Sequence, residues 1–114
     1  MKKRLLLPIL LATSIIAAPS VQAEENLSLR ICEYIQANDK SRLRWFLKQY
    51  KLKLRKIYGD LKCDGDNVLI FAAKSNALEV GEYIIGKIPS KTVKAEIENL
   101  AKHSAHLAEA AKER

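Results

Sequence analysis

Residues able to carry catalysis are scarce in this chain of 114 residues, and the scarcity excludes most enzyme designs. Only two histidines occur, His103 and His106, both close to the C-terminal end. Ser28, Ser41, Ser75, Ser90 and Ser104 therefore lack a histidine–acid pair within the body of the chain, which a serine nucleophile needs. The two histidines, three apart on a helical pattern, would need Glu96 or Glu109 as a third metal ligand. Glu96 lies about two turns away and Glu109 shares a face with His106 only on an intact helix, so solvent-exposed histidines are expected. Asp60, Asp64 and Asp66 hint at a calcium loop, but a third regular ligand and a closing Glu are missing. A turn accounts for them better. No metal, no cofactor and no enzymatic activity are expected.

Long apolar runs are also lacking, with one exception. Lys2-Lys3-Arg4 precede an uncharged, mostly apolar stretch from Leu5 to Ala18, broken by Pro19-Ser20 and followed by Val21-Gln22-Ala23. This order of basic, apolar and small residues is that of a cleavable secretory signal peptide over residues 1–23. The rival, a membrane anchor, needs about 20 apolar residues, and this stretch is shorter and carries Pro8 near its start. No transmembrane anchor is expected after cleavage. Cys32 follows Arg30-Ile31 well past the cleavage point, which argues against lipidation.

Export sets the terms for what remains. Removing 23 of 114 residues leaves 91, enough for one domain. Three of the 20 basic residues leave with the signal while all 13 acidic ones stay, so the formal charge falls from +7 to +4. A chain of this size buries only about 60–65% of its unfolded surface and is marginal without a staple. The only cysteines, Cys32 and Cys63, supply one: an even count in an exported chain reads as a disulfide. Closing a loop of about 30 residues is worth roughly 3.5–4 kcal/mol in the chain-entropy model. Two buried thiols are the alternative, whereas a redox pair would have Cys-x-x-Cys spacing.

Along residues 24–89 the pattern is helical. Leu27, Ile31, Tyr34 and Ile35 form one stripe; Leu43, Phe46, Leu47 and Tyr50 form a second, with Asp39 as its cap and Trp45 at its rim or exposed. Lys51 to Tyr58 is ambiguous, and an early helix end with an extended connection to Cys63 is expected. Gly59-Asp60 and Cys63 to Asn67 are turn signals. Val68 to Lys74 is a short helix capped by Asn67, and Asn76 ends it in the left-handed conformation. Ala77 to Lys87 is another helix, and Lys91 to Arg114 a final one. In the last, Val93, Ile97, Leu100, Ser104, Leu107 and Ala111 make a weak heptad seam that can dock on the core, pair with another chain, or fray.

Gly65-Asp66-Asn67-Val68-Leu69-Ile70-Phe71-Ala72-Ala73, followed by Asn76-Ala77-Leu78-Glu79-Val80 and Ile84-Ile85, resembles a degenerate ankyrin repeat. A fainter copy lies 38 residues earlier, with Asn38 on Asn76 and Phe46-Leu47 on Ile84-Ile85. As a whole, residues 31–89 resemble a small family of exported gammaproteobacterial proteins known as domain of unknown function 3718. Cys32, residues 38–44, residues 52–58, Cys63-Asp64-Gly65, Phe71-Ala72-Ala73 and residues 84–89 carry that resemblance. It implies a periplasmic protein with Cys32 paired to Cys63 and brings no activity with it; the tail from Ser90 lies outside it. The expected fold is all-α: two ankyrin-like helix pairs within residues 24–89, stapled by Cys32–Cys63, plus a C-terminal helix over 90–114.

The strongest functional candidate is a run of cations. Lys40, Arg42, Arg44, Lys48, Lys51, Lys53, Arg55, Lys56 and Lys62 are opposed between residues 40 and 62 only by Asp60, with Trp45, Tyr50 and Tyr58 interleaved. Such a segment can grip anionic headgroups, lipopolysaccharide phosphates, polyanionic glycans or nucleic acid; outside the cytoplasm, envelope lipids fit better than nucleic acid. The plainer reading is a solvated helix face whose Lys and Arg stems cover apolar surface. The sequence thus points to an accessory binding module that engages an envelope partner, either a protein or an anionic surface. A small hydrolase or hydrolase inhibitor with no visible motif is the alternative, and self-association through residues 91–112 a third.

Overall fold

The computed structural model describes residues 20–114, with side chains from residue 26 onward. The signal-peptide reading of residues 1–23 falls largely outside the described residues. Helix α1 spans Ser20–Gln36 and buries Ile31 and Ile35, two members of the expected stripe. Its end is a left-handed cap: Asn38 has φ 54°, and the Asp39 amide donates to the Tyr34 carbonyl at 2.9 Å, closing the last turn. Asp39 then starts α2 (Lys40–Gln49) by accepting the Arg42 amide at 3.0 Å.

Helix α2 buries Leu43, Phe46 and Leu47, but not Tyr50. The expected stripe overran by one residue, because the helix stops at Gln49 and Tyr50 is its C-cap, 54% exposed. The stop is Lys51, which takes φ 53° while the Leu52 amide donates to the Leu47 carbonyl at 2.8 Å. The extended connection expected over Lys51–Tyr58 is confined to its first residues. Leu54 buries itself and starts a single turn, α3 (Leu54–Ile57), which runs into a 3₁₀ turn at Tyr58–Asp60.

A two-stranded antiparallel ribbon follows, β1 (Lys62–Cys63) against β2 (Asp66–Asn67). Asp64 and Gly65 both have positive φ, 57° and 85°, the requirement of a tight two-residue hairpin turn. Asn67 accepts the Ile70 amide at 2.8 Å and so caps α4 (Val68–Lys74) as expected. Asn76, with φ 56°, ends α4 and turns the chain into α5 (Leu78–Lys87). The Asn38 and Asn76 turns share their geometry, each with an amide reaching back five residues. They are also joined across the fold, since Asn38 Oδ1 accepts the Val80 amide at 3.0 Å.

The C-terminal segment differs most from expectation. In place of one helix there are three: α6 (Ser90–Ala95), α7 (Ile97–His103) and α8 (Ala105–Lys112). Glu96 interrupts the first junction, and Ser104 leaves helical geometry to accept the Leu107 amide at 3.1 Å. One continuous helix of 24 residues would be about 36 Å long, far beyond the short helices it must cover. Breaking it lets Val93, Leu100, Leu107 and Ala111 all bury. The seam is therefore spent inside the molecule. Arg114 holds the end in place by donating to the Ile85 and Ile88 carbonyls at 2.9 and 2.7 Å.

Three helix pairs result, α1/α2, α4/α5 and α7/α8, stacked so that α4 contacts α1 and α7 while α5 contacts α2 and α8. Close approach of α5 and α8 depends on Gly81, because a Cβ there would stand 2.6 Å from Leu107 Cδ1. The Cys32–Cys63 disulfide ties α1 to β1, with the two Cα atoms 5.6 Å apart. Reduction, compared with the oxidised protein in urea unfolding, is expected to lower stability by about 3 kcal/mol or more. A change below about 1 kcal/mol would show that the helix stack holds without the staple.

Candidate functional site

The basic run does not form one surface, because α2 and α3 point its members in different directions. On α2, Lys40, Arg44 and Lys48 follow one another at intervals of four, a row beside buried Leu43 and Leu47. Arg42 and Trp45 lie on the other flank, where with Tyr34 and Ser41 they line a shallow hollow of about 410 Å³. Trp45 is 59% exposed, which places it outside the core as the sequence left open. Tyr50 continues this surface through Phe46, whose buried ring lies 5.6 Å from Tyr34 and 4.7 Å from Tyr50.

Lys53 and Arg55 face elsewhere. Together with Tyr83, Gly86 and Lys87 of α5 they line a second cleft of about 510 Å³, floored by Leu47 and Leu54. Lys87 was not among the candidate binding cations of the sequence; it is 32 positions from Arg55, and only the packing of α2 and α3 on α5 unites them. The Lys87 ammonium lies 5.7 Å from the Tyr83 ring centroid, within cation–π reach. Burial raises the Tyr83 hydroxyl above its ordinary range, and the Arg44 guanidinium pulls it back, so Arg44 also bears on this cleft. Lys51, Lys56 and Lys62 are exposed and line neither feature.

Ion pairing leaves the run largely uncompensated. Of its nine cations only Arg42 has an acid partner among the described residues, Asp39 at 3.5 Å. That pair is exposed and worth little. Three of the acids elsewhere are engaged otherwise: Asp66 pairs with Lys74 at 3.0 Å, Glu109 with Lys112 at 3.0 Å, and Glu82 contacts His106. His106 is solvent-exposed as expected, and it also meets a carboxylate of α5. His103 instead lines a polar hollow with Asn67, Asn99 and Lys102. Among the described residues no three His, Cys, Asp or Glu side chains come together as a metal site, and no helix is long and apolar enough to cross a membrane.

The arrangement defines a class: a small, disulfide-stapled all-α domain of stacked helix pairs with uncompensated cations on α2 and α3. A family model described as a protein of unknown function, DUF3718, matches residues 31–95, more than half of the chain, and the chain belongs to that family. The match runs into α6, beyond the expected limit at Pro89. No curated protein and no solved structure matches the chain.

One buried polar atom has no role in either cleft. The Tyr58 hydroxyl is inaccessible and has no hydrogen-bond partner among the described residues. Burial pushes it up from 10 to about 12, and the Glu96 carboxylate adds to the rise. The folded state therefore keeps a proton that the unfolded chain releases from pH 10 upward, so stability falls as pH rises between 10 and about 12. Tyr58→Phe removes an unpaired buried hydroxyl. In urea unfolding at pH 7 it is expected to be neutral or stabilising by about 1 kcal/mol, and its advantage should widen above pH 10. A loss of more than about 1 kcal/mol at pH 7 would mean that the hydroxyl is bonded in solution.

Proposed function

We propose that this chain is an exported, non-catalytic binding module of the bacterial periplasm that docks on an anionic envelope surface through α2 and α3. The observation that carries this reading is the uncompensated charge: eight of nine cations between residues 40 and 62 lack an acid partner among the described residues. Exposed Trp45 and Tyr50 on the same segment support it, because amphipathic aromatic rings favour the level of lipid headgroups. The disulfide supports export, since such bonds persist where the surroundings are oxidising.

Vesicle binding tests the proposal. The purified protein is expected to sediment with vesicles containing phosphatidylglycerol and to release steeply as salt is raised, exposed charges being screened beyond about 8–10 Å at physiological ionic strength. Changing Lys51, Lys53, Arg55 and Lys56 together to Glu should weaken binding by at least about 100-fold, at roughly 1 kcal/mol per basic residue brought to an anionic surface. Vesicle binding that ignores both salt and these substitutions would count against the reading; a protein partner would instead appear by crosslinking in periplasmic extract.

A further inference from the structure

The two glycines of α5 stand in unlike surroundings. Gly81 is required by packing, since a Cβ would press on Leu107. Gly86 has no such reason: an added Cβ would meet nothing within 4 Å, and φ lies outside the left-handed region. Glycine in a helix costs stability relative to alanine, and here nothing in the packing offsets that cost. What Gly86 does is leave open the α5 side of the cleft that Lys53, Arg55 and Lys87 also line.

We infer that this cleft is a binding site for a phosphomonoester headgroup, held by Lys53, Arg55 and Lys87 beside the open position at Gly86. The inference rests on the anionic-surface reading and names the group within that surface that is recognised. Charge and shape carry it. No acidic side chain lines the cleft, and none of the three cations has an acid partner among the described residues. A phosphomonoester carries a charge of about −1.5 to −2 and three acceptor oxygens near neutral pH. It therefore matches three cations lining one cleft better than a diester, with one charge and two free oxygens. Arg55 presents a planar fork suited to two of those oxygens, while Lys53 and Lys87 act as point charges.

Two neighbours favour the same ligand. The Tyr83 hydroxyl, raised by burial, stays protonated and can donate at the wall of the cleft. At the end of α5, carbonyl oxygens would repel an anion. Arg114 takes up those of Ile85 and Ile88, on either side of Gly86 and Lys87.

The test compares vesicles of phosphatidic acid, a monoester, with vesicles of phosphatidylglycerol, a diester, at matched surface charge. A soluble arm titrates glycerol 3-phosphate while following the amide resonances of residues 83–87. The full chain is expected to prefer phosphatidic acid by about tenfold and to show saturable shifts at Gly86 and Lys87. Gly86→Phe, which fills the cleft without changing charge, should abolish the preference and the shifts while phosphatidylglycerol binding persists; Gly86→Ala should retain both. A thermal melt confirms that each variant is folded, and Lys87→Gln, on an exposed position, serves if Gly86→Phe is not. Equal binding of the two lipids, unchanged by these substitutions, would overturn the site and leave the surface reading intact. Saturable shifts without vesicle binding would keep the site and assign it a soluble phosphate ester, overturning the membrane source. Absence of both vesicle binding and shifts would overturn site and surface together.

Discussion

The bond between Cys32 and Cys63 is the constraint from which the other features follow. It fixes α1 to β1 of the ribbon that leads into α4, and so sets the first helix pair against the second. Each pair alone is too short to be stable; helices of this length hold only when an apolar face is covered. With that junction fixed, the segment between the cysteines, Glu33 to Lys62, becomes a closed loop of the chain. The whole basic run lies inside it. The loop must leave α2 at Lys51, pass the buried Leu54 and return through Leu61 to the buried Cys63. Its cations are consequently turned outward, and Lys53 and Arg55 are brought against the end of α5.

Helix α5 is the centre of this arrangement. It touches α2 and α3 on one side and α8 on another, and its residues serve both. Gly81 admits Leu107 of α8, Glu82 meets His106, and Tyr83, Gly86 and Lys87 face the cleft. A helix with so many contacts couples the tail to the basic surface. Arg114, at the far end of the described chain, bonds to carbonyls within one turn of the cleft.

Much of the fold was legible because its signals are local. Asp39, Asn67 and Asn76 act on backbone groups a few residues away, and the residue types alone announce those bonds. The disulfide followed from counting cysteines. What was not legible depended on distance or on an atypical residue. Lys51 ends α2 in a left-handed conformation for which lysine gives no hint. Ser104 breaks the tail at a position where the apolar spacing continues unbroken, so periodicity alone predicted one helix. Of the candidate site, the exposure of Trp45 was left open between rim and solvent, whereas the cations could be read directly. Their division into two surfaces could not, nor could the recruitment of Lys87, because both depend on how α2 and α3 lie against α5.

The central claim is that the cations of α2 and α3 meet an anionic surface, and the chain carries its own reporter for it. Trp45 is the sole tryptophan and lies exposed among the cations of α2. Its fluorescence, recorded as vesicles are added, tests the claim most directly. The account predicts a shift to shorter wavelength with anionic vesicles, none with zwitterionic ones, and recovery of the original spectrum at high salt. Emission that stays at its solvent-exposed position while anionic vesicles are titrated to excess would contradict it.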